Sequence, residues 1–181
     1  MDEKLQIRKV LKGDTSAFGY FVDTYQDMAI TIAYRVCGNK QDAEDIVQNA
    51  FVKAFHNLQT FKSESKFSTW FYRIVYNTAI TETRGSYHNT EFMDYKVAET
   101  DYYSDMDTMT QIEENERNKL INDALDKLPK DESVLLTLYY LEDNPVKDIA
   151  LITNLTEANV KVKLHRARKR LAELLTEQMR H

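Results

Sequence analysis

Ten consecutive residues, Lys161-Val162-Lys163-Leu164-His165-Arg166-Ala167-Arg168-Lys169-Arg170, carry six formal positive charges and no acid. They sit in a protein whose net charge is -5. Cations at this density hold phosphates, and on an acidic chain they point to local recognition of a polyanion. Val160, Leu164, Ala167 and Leu171 recur at i, i+4, i+7 and i+11, so one side of a helix can be buried while the other offers charge. A solvated basic face favoured by the helix dipole is the plainer alternative, but six cations exceed what that needs. A second set, Arg73, Asn77, Ile80 and Arg84, has the same helical spacing. Arginine can hold a strand phosphate and asparagine can read a base edge. Nothing in the chain has the pattern of a catalytic site. His56, His88, His165 and His181 are dispersed without metal-ligand spacing, and no Gly-rich phosphate loop is present. No cofactor or metal is expected.

The elements that must position these residues are helical. Only four glycines and two prolines interrupt 181 residues, of which 43% are hydrophobic. Cys37 is alone, which excludes an internal disulfide, and its apolar surroundings predict a packed thiol. No apolar h-region follows Met1 and no run is long enough to span a bilayer, so the chain reads as intracellular, soluble and cytoplasmic, without membrane insertion.

Ile7, Val10 and Leu11 predict a short first helix stopping at Gly13. Asp14 or Thr15 would cap a second helix that ends at Gly38. A third runs from near Gln41 to about Leu58, burying Ala43, Ile46, Val47, Ala50, Phe51, Ala54 and Phe55. After a loop from Thr60 to Phe67, Ser68 or Thr69 would cap a fourth, with Trp70, Phe71, Ile74, Val75 and Thr78 inward. Gly85 closes this block. Residues 86–111 lose the periodicity and gather acids, which is the composition of a solvated linker. A flexible coil of that length spans on the order of 25–30 Å. Beyond it, Leu120, Ile121, Ala124, Leu125 and Leu128 mark one helix, and Pro129 can begin the next. Asn144-Pro145 reads as an N-cap with proline at N1, opening a short helix. Thr153-Asn154-Leu155 is a turn, with Asn154 suited to the left-handed position, and Thr156 can cap the basic helix. Two helices joined this tightly, the second one basic, form a helix-turn-helix pattern.

Four stretches in this order give the chain a resemblance to the bacterial extracytoplasmic-function (ECF) RNA polymerase sigma factors. Asp42 to Phe51 resembles the polymerase-binding signature of that family's second region. Ser68 to Ala79 resembles its promoter-melting and minus-10-reading helix. Leu128-Pro129 with Val134 and Leu138-Tyr139-Tyr140 resembles the opening of its fourth region, and Leu164 to Leu171 the end of its recognition helix. Asn49 stands where the family usually has Glu, and Asn154 where Gly is common.

The resemblance implies an all-α fold of two helical domains on an acidic flexible linker: region 2 over 1–85, the linker over 86–111, region 4 over 112–181. It implies core RNA polymerase and promoter DNA as partners, with an anti-sigma factor as regulator. Asp45, Gln48, Asn49, Val52 and Lys53 would dock the polymerase. Lys62, Ser63, Lys66, Phe67, Arg73, Tyr76, Asn77 and Arg84 would bind the melted minus-10 element. Thr156, Glu157, Asn159, Lys161 and Lys163 would meet minus-35 bases, while Arg166, Arg168 and Arg170 hold phosphates. The competing expectation is a stand-alone helix-turn-helix regulator, which has no need for the Asp42–Phe51 face. Residues 86–116 hold nine acids against Lys96, a net of -8, so the remainder carries +3 and the acidic total is compatible with DNA binding.

Overall fold

The structure, a computed structural model, describes residues 2–87 and 110–178, and every regular element among them is helical. Asp2 caps α1 (Glu3–Leu11) by accepting from the Lys4 amide at 3.0 Å. Leu11 is exposed, so only Ile7 and Val10 of the predicted apolar trio reach the core. A 3-10 turn over Thr15–Phe18 leads into α2 (Gly19–Cys37). That helix ends as expected at Gly38, whose φ of 80° lets its amide bond the Tyr34 carbonyl at 2.7 Å.

The Asn39 side chain caps α3 (Lys40–Asn57) through the amides of Gln41 and Asp42. Its Ala43, Ala50 and Ala54 are fully buried, and such small residues let α2 and α4 approach closely. α4 (Phe67–Tyr87) starts before the expected caps. Ser68 and Thr69 lie inside it, because Phe67 is pulled into the core and begins the helix there. Its far end passes through Gly85 to Tyr87. One glycine costs about 1 kcal/mol in a helix, too little by itself to end one. The bundle's centre is aromatic: Phe21, Phe51, Phe67, Phe71 and Tyr25 pack ring on ring, with Phe51 stacked on Phe71 at 4.5 Å.

Four more helices follow: α5 (Thr110–Asp126), α6 (Lys130–Tyr140), α7 (Val146–Thr153) and α8 (Glu157–Gln178). The outer residues of the expected linker, 86–87 and 110–111, are therefore helical, and its interior, 88–109, lies outside the described residues. Pro145, not Asn144, is the residue before α7. Asn144 is instead buried, with its amide side chain donating to the Leu138 carbonyl at 3.2 Å. That bond ties the loop to α6 and so moves the start of α7 by one residue.

The two halves lie against each other. α6 packs on α2 and α7 on α4, and buried side chains from both halves form one continuous apolar cluster. The seam is partly polar. Arg35, nearly inaccessible, is ion-paired with Asp126 and donates to Asn122 at 2.6 Å. Lys130 donates to the Cys37 carbonyl at 3.0 Å. Arg35 Nε and Thr83 Oγ1 are buried with no partner among the described residues. Each such group costs roughly 1–3 kcal/mol.

Candidate nucleic-acid interface

The first surface is the outer face of α3. Asp45, Gln48, Asn49, Val52 and Lys53 are all exposed there, opposite the buried alanine stripe. Val52 is 56% exposed, an apolar centre ringed by polar groups. Asn49 Nδ2 donates to Glu82 Oε1 at 3.2 Å, and Lys53 Nζ donates to Thr78 Oγ1 at 3.1 Å. Both contacts brace the face against α4. An amide at position 49 can donate to Glu82, whereas a carboxylate there would repel it.

The second surface is the outer stripe of α4. Arg73, Asn77 and Arg84 are exposed and share one line with Thr69 and Ile80. The loop before it presents Lys62, Ser63 and Lys66, with Ser63 in the left-handed region at φ 58°. Phe67 corrects an expectation. It is 1% exposed, wedged among Phe21, Phe61 and Trp70, and it cannot meet a base without leaving the core. Phe61 and Trp70 stay half-buried, 5.3 Å apart, at the rim of that cluster.

Tyr72, next to Arg73 in the chain, is buried, with its hydroxyl bonded to Glu142 from the other half. Tyr76 is half-buried beside a pocket of about 320 Å3 between α2, α4 and α6, and burial raises its pKa. The stripe itself touches the second half. Thr69 Oγ1 donates to Asp148 Oδ2 at 3.3 Å, and Asn154 Nδ2 donates to Asn77 Oδ1 at 3.0 Å.

Burial raises the Glu142 carboxyl above its ordinary pKa, while the Tyr72 hydroxyl and Lys66 oppose that rise. A carboxyl whose folded pKa exceeds its unfolded value adds stability below the unfolded pKa. That stability is lost as pH rises through the folded pKa. E142Q keeps an acceptor for Tyr72 and removes the titration. In thermal melts across pH 4 to 7 it is expected to abolish Glu142's share of the fall in stability as pH rises. A variant profile parallel to wild type would refute this.

The third surface is α8. Asn154 takes the left-handed turn position at φ 56°, and Thr156 Oγ1 accepts the Asn159 amide at 3.2 Å, both as expected. Val160, Leu164 and Ala167 are buried against α6 and α7. The six cations divide into two groups. Lys163 is ion-paired with Asp131. Arg170 Nη1 donates to both carboxylate oxygens of Glu132 at 3.1 Å. Arg168 donates to the Tyr140 hydroxyl at 2.8 Å and lies over the Tyr139 ring at 4.8 Å. These three flank the apolar stripe and clamp α8 to α6. Lys161, Arg166 and Lys169 are exposed, with no protein partner among the described residues. With Glu157 and Asn159, also exposed, they form the outward face.

Sequence reasoning did not find the clamp partners Asp131, Glu132, Tyr139 and Tyr140 as such. Among the described residues no group of His, Cys, Asp or Glu is disposed to hold a metal, and no helix is long and apolar enough to cross a membrane.

Comparison with known proteins places these surfaces in context. Residues 21–87 match the family model for Sigma-70 region 2, and residues 118–171 match that for Sigma-70, region 4. The chain is 34% identical over 180 residues to the ECF RNA polymerase sigma factor SigW of Bacillus subtilis, covering 95% of this chain and 96% of that one. It is 28% identical to the ECF RNA polymerase sigma-E factor of Escherichia coli K12, covering 93% and 92%. Among solved structures, the sigma factor RpoE in complex with the anti-sigma factor NepR from Bartonella quintana superimposes with a TM-score of 0.70 at 21% identity, over 88% of this chain and 96% of that one. CnrH in complex with the cytosolic domain of CnrY gives 0.65 at 23%, over 97% of each. Those two likenesses concern the fold.

Proposed function

Since the chain belongs to the ECF sigma factors of the sigma-70 family, we propose that α3 docks core RNA polymerase, α4 captures the melted minus-10 strand and α8 reads the minus-35 duplex. The protein is a transcription initiation factor that directs the polymerase to promoters. Its partners are core polymerase, promoter DNA and an anti-sigma factor, and it works in the cytoplasm where the polymerase is. Catalysis of RNA synthesis belongs to the polymerase, and this chain supplies binding energy and position.

The observation that carries this reading is the presence of three separate exposed surfaces on one chain, in the order of the two matched regions. A duplex-binding regulator needs only the last. The docking role rests on Asp45, Gln48, Asn49, Val52 and Lys53, a polar ring about an apolar centre that suits helix-on-helix contact. Strand capture rests on Lys62, Ser63, Lys66, Arg73, Tyr76, Asn77 and Arg84, which combine backbone cations with an aromatic and an amide. Minus-35 reading rests on the first turns of α8, from Thr156 through Glu157 and Asn159 to Lys161.

The domain limits we propose follow the helices: residues 2–87 for the first unit and 110–178 for the second. Reconstituted transcription with core polymerase and genomic DNA tests the reading. Initiation at a discrete set of promoters is the expected result. Tight sequence-specific duplex binding with no initiation would instead favour the stand-alone regulator.

A further inference from the structure

The outward face of α1 is a charged surface to which the sigma-factor reading gives no role. Lys4, Leu5, Arg8, Lys9, Leu11 and the capping Lys12 are exposed, while Gln6, Ile7 and Val10 are buried. At 3.6 residues per turn the six exposed positions share one arc of about 160°. Residues 3–12 hold four cations against Glu3 alone, and Glu3 is engaged by the Tyr25 hydroxyl. None of the four cations is in an ion pair among the described residues, although Lys9 lies in the field of the Asp14 carboxylate. The helix dipole accounts for part of this, since it favours Arg8 and Lys9 in the last turn. It disfavours Lys4 in the first turn.

We propose that this face of α1 holds phosphates of the DNA strand that leaves the Lys62–Lys66 loop. It is a fourth contact surface beside those on α3, α4 and α8. The fold fastens α1 to both ends of that loop. α1 packs on the 3-10 turn over Leu58–Thr60, which feeds directly into it. Tyr25, bonded to Glu3 of α1, lies 5.5 Å from the ring of Phe67, the residue that closes it. Lys62 and Lys66 are exposed in the loop, with Glu64 its one acid. The cations of α1 therefore continue a basic track that the loop begins.

The nine residues of α1 run about 14 Å. At a strand rise of about 3.4 Å per nucleotide that is about four nucleotides, and fewer for a stretched single strand. An anionic membrane surface would also attract these cations. A helix lying on lipid needs an apolar side to bury there, and α1 has turned Ile7 and Val10 into the protein core. Only Leu5 and Leu11 remain outside, set among the charges. A strand backbone asks for cations alone, which is what this face supplies. That the strand is promoter DNA rests on the sigma-factor reading, whereas the phosphate site rests on α1 and the loop.

The test uses the full chain and a single-stranded 20-mer of thymidine, followed by anisotropy between about 50 and 200 mM salt. Each phosphate contact on a single strand is worth about 0.7 in the slope of log K against log salt. K4A/R8A/K9A/K12A is expected to flatten that slope by about 2 or more, the share of three contacts, and to lower affinity at about 50 mM salt at least tenfold. Circular dichroism reports whether it folds, and K4Q/R8Q/K9Q/K12Q takes its place if it does not. Core polymerase affinity is expected within about twofold of the parent, because α1 holds none of the proposed docking residues. A slope within about 0.7 of the parent, or no strand binding by the parent at about 50 mM salt, overturns the phosphate site. An unchanged slope with weaker polymerase binding would make α1 a protein contact. An unchanged slope with lost binding to vesicles of phosphatidylcholine and phosphatidylglycerol, three to one, would make it a membrane contact. Either result overturns the proposal. Failure of the parent to bind core polymerase would instead count against the sigma reading, since the strand measurement is made without it.

Discussion

Replacing Lys161, Arg166 and Lys169 together with alanine is expected to flatten the salt dependence of minus-35 duplex binding by about 2.7 in the slope of log K against log salt. Each phosphate contact releases counterions worth about 0.9 in that slope. The three side chains are exposed cations on the outward face of α8, with no partner among the described residues. The companion triple, K163A/R168A/R170A, removes the same formal charge from the same helix. Its side chains are committed to Asp131, to Tyr139 and Tyr140, and to Glu132. It is expected to lower the melting temperature while leaving the slope within about one unit of wild type. Fluorescence anisotropy on a promoter duplex between about 50 and 200 mM salt separates the two. Equal slopes for the two triples would remove the distinction between anchoring and clamping cations.

The largest stability effect is expected at Phe71. It is fully buried, stacked on Phe51 at 4.5 Å and set against Phe67 and Tyr25. F71A removes a ring from a packed aromatic cluster and leaves a cavity, a change that costs about 3–5 kcal/mol. At this chain length each kcal/mol shifts the midpoint by about 2–4 °C, so a fall of about 10 °C is the expected thermal result. F71L retains volume and is expected to lose less than half as much. A fall of under about 3 °C for F71A would mean that the aromatic cluster does not hold the first bundle together.

Features fixed by a few neighbouring residues were legible in the sequence. Gly38 at its helix end, Asn154 in the left-handed turn and Thr156 as a cap all follow from local backbone chemistry, and all stand in the structure. The apolar stripe of α8 followed from periodicity alone. What depended on distant partners was not legible. Phe67 reads equally as a loop aromatic or a core residue until the bundle closes on it. Tyr72 is buried with its hydroxyl on Glu142, seventy positions along the chain. The three clamp residues look identical to the three free cations until α6 is placed beside them. The seam between the halves has no sequence signature, because neither half's own pattern requires it.

The separation of clamp from contact on α8 also bears on how the protein can change. Positions that hold the helix in place pair with α6, and those we propose to meet DNA are exposed. Exposed substitutions away from structural contacts usually shift stability by no more than about 0.5 kcal/mol. The outward positions 157, 159, 161, 166 and 169 can therefore drift to new residues, and so to new promoters, without eroding the fold. Descendants of one gene could acquire separate regulons by substitutions on a single helical face.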